Sequence, residues 1–105
     1  MIQITEEILQ KDTYLLYIHS PFCGTCHVAR EMLDKIESVH QTDVFYEMNA
    51  SLYPDFMQTN KVESVPCLFI KKEGIVKEKI YVFRSIPNIY QYLLQYAPQL
   101  FRQDS

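Results

Sequence analysis

Two cysteines separated by two residues, in Cys23-Gly24-Thr25-Cys26, are the side chains in this sequence best equipped for chemistry. They follow a nearly all-apolar run, Tyr14-Leu15-Leu16-Tyr17-Ile18-His19, and precede a segment whose apolar residues recur at helical spacing. A thiol at a helix start lies beside unpaired N–H groups and the positive end of the macrodipole. Both favour the thiolate and draw its pKa from about 8.5 towards about 7. A second thiol one turn further, on the buried stripe, is placed to attack a mixed disulfide formed on the first. The short ring that joins such a pair opens and closes readily, which suits thiol–disulfide exchange better than structural cross-linking.

Two rival chemistries use the same residues. A Cys-x-x-Cys is also half of a zinc site, but zinc needs two further ligands. The candidates are His19, His27, His40 and Cys67, and no second paired cluster is present. With His27 the motif also spells Cys-x-x-Cys-His, the attachment pattern of a c-type haem. That chemistry requires an exported, mostly helical chain, whereas strand-forming segments abound here. His27 reads instead as a partly solvated helix residue one turn from Glu31. Cys67, the odd thiol, reads as a buried small hydrophobe, with a regulatory mixed disulfide as the alternative.

The elements that must hold these thiols follow from periodicity. Ile2 to Ile4 suits a short edge strand, and Thr5 is an N-cap for a helix to about Lys11, with Glu6 and Glu7 in its first turn. The run Tyr14–His19 has the composition of a strand buried on both faces. Cys26, Ala29, Leu33 and Ile36 then form the stripe of an amphipathic helix ending near His40, with Arg30, Glu31, Asp34, Lys35 and Glu37 away from it. Asp43 to Met48 predicts a strand, Leu52 to Asn60 a short helix, and Cys67 to Lys71 another strand after Pro66. Lys72-Glu73-Gly74 turns the chain into a return strand, Ile75 to Phe83. Ser85-Ile86-Pro87 opens a last helix carrying Ile86, Ile89, Tyr90, Leu93, Leu94 and Ala97. The alternation predicts parallel crossover units plus a late antiparallel hairpin, hence an α/β sandwich around a central mixed sheet.

Composition narrows the function. Within 105 residues, one domain over 1–105 is expected, and 10 Lys and Arg against 13 Asp and Glu leave a formal charge of −3. That balance weighs against a nucleic-acid or anionic-membrane surface. Hydrophobic residues make up 48% of the chain, enough for a core. No apolar stretch, however, approaches a bilayer's thickness. Three cysteines do not make a disulfide scaffold, and the acidic start, Met1 to Glu7, lacks the marks of an export signal. A reducing cytoplasm is the expected compartment. With Gly24 and Gly74 as the only glycines, no glycine-rich phosphate loop is possible, so no cofactor or metal is expected.

Taken together, these residues resemble the thioredoxin family. Pro66, forty residues beyond Cys26 and immediately before a strand, is similar to the family's cis-proline, and Leu68-Phe69-Ile70-Lys71-Lys72-Glu73-Gly74 to its apolar strand and turn. The resemblance implies a thioredoxin-like three-layer α/β/α sandwich and a thiol–disulfide oxidoreductase that cycles Cys23 and Cys26. It further implies that Val65 pairs with an extended substrate while Phe22, Gly24, Thr25 and Pro66 complete the binding rim. Expected partners are disulfide-containing protein substrates and a thioredoxin reductase-type electron donor, with the protein acting as a monomer.

The departures bear on mechanism. Phe22 stands where the family has Trp, and Thr25 where many of its reductases have Pro. Tyr17 occupies the position of a buried Asp that serves proton transfer, and Glu47 that of a Lys paired with it. Tyr81-Val82-Phe83 lacks the glycine that flattens the binding surface. A phenol with a pKa near 10 is a poor base at neutrality, and an ionised Glu47 near the pair would raise the cysteine pKa values. The alternative places Tyr17 in the core and Glu47 in solvent. A slow redox-sensing module with the same fold is the competing functional reading.

Overall fold

The computed structural model describes residues 1–101. Strand β1 (Ile2–Gln3) leads through Thr5, whose side chain accepts from the Ile8 amide, into helix α1 (Glu6–Leu9). Strand β2 (Tyr14–His19) is followed by helix α2 (Thr25–His40) and strand β3 (Tyr46–Asn49). A single 3-10 turn, Ala50–Leu52, precedes helix α3 (Pro54–Thr59). Strands β4 (Cys67–Lys72) and β5 (Ile75–Ile80) form the hairpin, helix α4 (Ile86–Tyr96) packs back on the sheet, and a 3-10 turn, Pro98–Phe101, follows.

The five strands lie in the order β1-β3-β2-β4-β5. β1 and β2 each run parallel to β3, whereas β4 is antiparallel to both β2 and β5. β2 is therefore the central strand, and its alternation supplies both faces of the sheet. Leu15 and Tyr17 join Leu68, Ile70 and Ile80 beneath Ala29, Leu33 and Ile36 of α2 and Ile89 and Leu93 of α4. Tyr14, Leu16 and Ile18 join Cys67 and Phe69 on the opposite face, covered by α1 and α3 through Ile8, Phe56 and Met57. Helices thus cover both faces of a mixed sheet, the three-layer α/β/α sandwich implied by the sequence.

Several boundaries differ from the periodicity for identifiable reasons. Strand β3 begins at Tyr46 rather than Asp43, because the amides of Val44 and Phe45 donate to the Glu37 carboxylate at 2.8 and 3.1 Å instead of entering the sheet. The stretch expected as one helix over 52–60 is divided at Tyr53 (φ −133°, ψ 55°). Pro54 opens the second piece, where its missing N–H has no partner to lose. β5 stops at Ile80, so Tyr81-Val82-Phe83 leaves the sheet. α1 ends at Leu9, two residues before the expected Lys11.

The hairpin needs positive φ at both loop residues, and Glu73 and Gly74 take 56° and 78°. That is the pattern of a type I′ turn. Gly74 donates its amide to the Asp12 carbonyl at 2.9 Å, which ties the loop to the residues ahead of β2. α2 ends on Gln41 in the left-handed region (φ 53°), whose amide returns to the last-turn carbonyls.

The stripe of α2 carries much of the core, so its truncation has a definite cost. Leu33, with no exposed surface, is expected to lose about 2–5 kcal/mol on substitution by Ala. Val39, on the same helix, is 72% exposed. Its substitution by Ala is expected to stay within about 0.5 kcal/mol. Chemical denaturation of the two variants checks both, and equal costs would contradict the assignment of faces.

Candidate active site

β2 ends at His19, and the chain then turns sharply before α2. The Ser20 carbonyl accepts from the Cys23 amide at 3.2 Å, and the Ser20 hydroxyl accepts from the Phe22 amide at 3.3 Å. This turn sets Cys23 and Gly24 at the entrance of α2 and Cys26 in its first turn. Cys23 and Cys26 are joined in a disulfide with 5.4 Å between Cα atoms. Cys23 is partly exposed and Cys26 is buried, the asymmetry expected of an attacking and a resolving sulfur. The Thr25 hydroxyl lies 3.5 Å from the Cys23 sulfur. Gly24 has φ −63°, and a methyl group placed on it would meet nothing within 4 Å, so the backbone itself does not demand glycine there.

Two concavities border this turn. One, of about 330 Å³, is lined by Thr25, Val28, Ala29, Pro66, Tyr81, Val82 and Phe83. It brings the helix entrance to the Val65–Pro66 peptide, which is cis. Phe22, in the turn ahead of Cys23, is 93% exposed, and Val82 in the lining 62% exposed. Val65 packs towards the α1/α3 side of the sheet and lines neither concavity. The other, of about 170 Å³, lies behind the disulfide between Tyr17, His19, Cys23, Cys26, His27 and Arg30. A larger cavity of about 410 Å³, between α1 and α3, includes neither cysteine.

The surroundings of Cys26 settle the two departures at positions 17 and 47. Tyr17 is 1% exposed and its hydroxyl donates to the Cys26 carbonyl at 2.7 Å. Burial pushes its phenol up to about 12, which leaves it protonated at any ordinary pH. Glu47 does not point into solvent. Arg30, whose charge the helical pattern assigned to the solvated side, reaches back to hold the Glu47 carboxylate in a fork at 2.9 and 3.2 Å. That hydrogen-bonded guanidinium keeps the Glu47 carboxyl below the usual carboxylate range, so it is ionised and compensated. His19 lies 3.6 Å from the same carboxylate, and its burial holds the imidazole below its ordinary pKa.

Arg30 is the residue that sequence reasoning missed here. It stands one turn after Cys26, a spacing that carries the signal, but only the fold shows β3 delivering Glu47 to meet it. The other sequence candidates are dispersed. Cys67 lies fully buried behind Pro66 on the opposite face from Leu68, as strand alternation predicts, and burial pushes its thiol up to about 12. His40 packs between Tyr90 and Phe101, far along α2 from the cysteines. Among the described residues, no three His, Cys, Asp or Glu side chains gather as metal ligands.

With this geometry in place, comparison with known proteins is decisive. The model of the family described as Thioredoxin matches residues 3–95. The chain belongs to the thioredoxin family. It is 37% identical over 87 residues to the thioredoxin-like protein YusE of Bacillus subtilis, covering 83% of this chain and 82% of that one. Its fold is shared with the oxidised mitochondrial thioredoxin 3 of Saccharomyces cerevisiae, at 18% identity and a TM-score of 0.71 over 90% of this chain and 94% of that chain. It is shared also with a mutant thioredoxin of Halobacterium salinarum, at 17% identity and a TM-score of 0.72 over 90% of this chain and 87% of that chain. A thioredoxin-family chain with a Cys23–Cys26 disulfide has the equipment of a thiol–disulfide oxidoreductase.

Two measurements check the polar surroundings of Cys26. Tyr17→Phe, which removes one hydroxyl donor and leaves the ring in place, is expected to cost about 1 kcal/mol in denaturant unfolding. The Glu47 carboxyl has a lower pKa folded than unfolded, so its contribution is complete above about pH 4.5. That contribution is lost as pH falls through the folded value. Arg30→Ala removes the cause of the shift, so its melting temperature is expected to fall less steeply than wild type below about pH 4.5. Parallel acid slopes would show that the ion pair carries no such linkage.

Proposed function

We propose that this protein reduces protein disulfides through a Cys23/Cys26 dithiol–disulfide cycle. The observation that carries the reading is a disulfide at a helix entrance, with one cysteine partly exposed and the other buried. In the reduced protein the α2 N-terminus favours the Cys23 thiolate, and the Thr25 hydroxyl is within reach to donate to it. Cys23 attacks one sulfur of the substrate disulfide, forming a mixed disulfide and releasing the other substrate sulfur as a thiolate. Cys26, deprotonated, attacks the Cys23 sulfur. The Cys23–Cys26 bond forms, the bond to substrate breaks, and the second substrate thiolate leaves. The substrate gains two electrons and the protein pair is left oxidised, to be reduced again by a dithiol donor of the thioredoxin reductase type.

The apolar groove between Thr25, Pro66 and Val82 suits an extended substrate segment; in this reading Phe22 and Gly24 extend its rim and the Val65 backbone pairs with the segment. A reducing compartment such as the cytoplasm provides the electrons for this direction. No helix among the described residues is long and apolar enough to cross a membrane.

With a disulfide-bonded protein substrate and a thioredoxin reductase, multiple turnovers are expected in the wild type and none in Cys23→Ser. Cys26→Ser is expected to accumulate the mixed disulfide on Cys23. A pair potential near thioredoxin's about −270 mV agrees with a reductase, whereas about −120 to −180 mV would reassign the protein to oxidation or isomerisation. Capture of one partner without general turnover would favour the redox-sensing module.

A further inference from the structure

We propose that His19 is the base that accepts the Cys26 proton when Cys26 resolves the mixed disulfide, an inference that rests on the dithiol cycle above. His19 at the end of β2 and Cys26 in the first turn of α2 border the same cavity of about 170 Å³, whose lining shares no residue with the groove between Thr25 and Pro66. The His19 Nε2 atom is buried and has no hydrogen-bond partner. Buried polar atoms are nearly always paired, so an unpaired one on a residue that shares a cavity with the disulfide calls for a reason. The cavity is large enough to hold water, and the His19 side chain on its wall is 22% exposed, so a proton leaving Cys26 has a path to the ring by atoms other than the buried Nε2.

The other groups facing His19 are committed elsewhere. Tyr17, stacked on the His19 ring at 5.5 Å, uses its hydroxyl on the Cys26 carbonyl and stays protonated. Arg30 is engaged by Glu47 and, at 3.7 Å, by Asp34. His27 borders the cavity from the exposed side of α2. Glu47, from β3, lies 3.6 Å from Nε2. This set holds His19 neutral while at rest, because burial and Arg30 disfavour the imidazolium, yet offers the imidazolium a carboxylate partner once a proton arrives. A base oriented by a third group is the usual arrangement for activating a nucleophilic sulfur.

In the step itself, the proton of the Cys26 thiol moves to the His19 imidazole. The Cys26 sulfur forms its bond to the Cys23 sulfur, and the Cys23–substrate bond breaks. The substrate sulfur departs with the electron pair, and the imidazolium returns its proton to that thiolate or to solvent. When a donor later reduces the protein pair, the same imidazole protonates the departing Cys26 sulfur.

The test follows resolution of a mixed disulfide between Cys23 and thionitrobenzoate, reading release of the coloured thiol between about pH 5 and 8. In wild type the rate is expected to fall towards acid as His19 takes a proton. His19→Gln is expected to resolve about 10²-fold more slowly and to lose that acid limb, while iodoacetamide alkylates its Cys23 at the wild-type rate. His27→Gln is expected to behave as wild type. Glu47→Gln, tested alongside in case His19→Gln fails to fold, is expected to move the limb to lower pH, since the imidazolium loses its partner. Wild-type rate and pH profile in His19→Gln, an unshifted limb in Glu47→Gln, or loss of the limb in His27→Gln would each overturn the assignment. Failure of wild type to form or resolve any adduct at Cys23 would instead sink the dithiol cycle, and this inference with it.

Discussion

Burial of β2 on both faces is the constraint from which the site follows. A strand that must fill two helical layers can carry almost nothing polar, and Tyr14 to Ile18 carries only two phenols. Polarity returns at His19, where the strand leaves the covered centre of the sheet, and the reactive turn begins with the next residue. The position of the disulfide is therefore set by where hydrophobic cover ends. The same strand anchors β3 and β4, so the parallel neighbour brings Glu47 and the antiparallel neighbour starts just after Pro66.

Behind the disulfide, a neutral phenol occupies the position where the family places a buried acid. An uncharged Tyr17 adds no negative charge next to the Cys26 sulfur, and the Glu47 carboxylate is held by Arg30 in a forked pair, with the exposed Asp34 3.7 Å from the same guanidinium. The Glu47 charge is thus compensated. A compensated Glu47 does not oppose thiolate formation as a lone one would, while burial leaves the Tyr17 phenol unable to accept a proton. That division of labour makes an unpaired imidazole on the same cavity mechanistically valuable.

Much of this was legible in the sequence. The apolar run of β2, the four-residue stripe of α2, and the placement of the cysteine pair between them are statements about periodicity, and periodicity survives folding. The inward direction of Cys67 was legible too, because strand alternation alone dictates it. What was not legible depends on partners distant in sequence. Arg30 is separated from Glu47 by 17 positions, and a charged residue off the apolar stripe reads as solvated until β3 is laid against β2. The late start of β3 has the same origin, because the Glu37 side chain takes two amides that the strand would otherwise use. The division of the segment after Asn49 was blurred by a different cause, local competition between a 3-10 turn and a proline-started helix.

Cys67 gives the fold a way of reporting on itself. Its thiol has no exposed surface and is held far above neutrality, whereas Cys23 is partly exposed at the entrance of α2. A thiol reagent therefore meets the partly exposed Cys23 in the folded molecule, and the Cys67 sulfur only when the layer between the sheet and α3 comes apart. The delay before that later reaction is a clock for openings of the core, independent of any signal from the site itself.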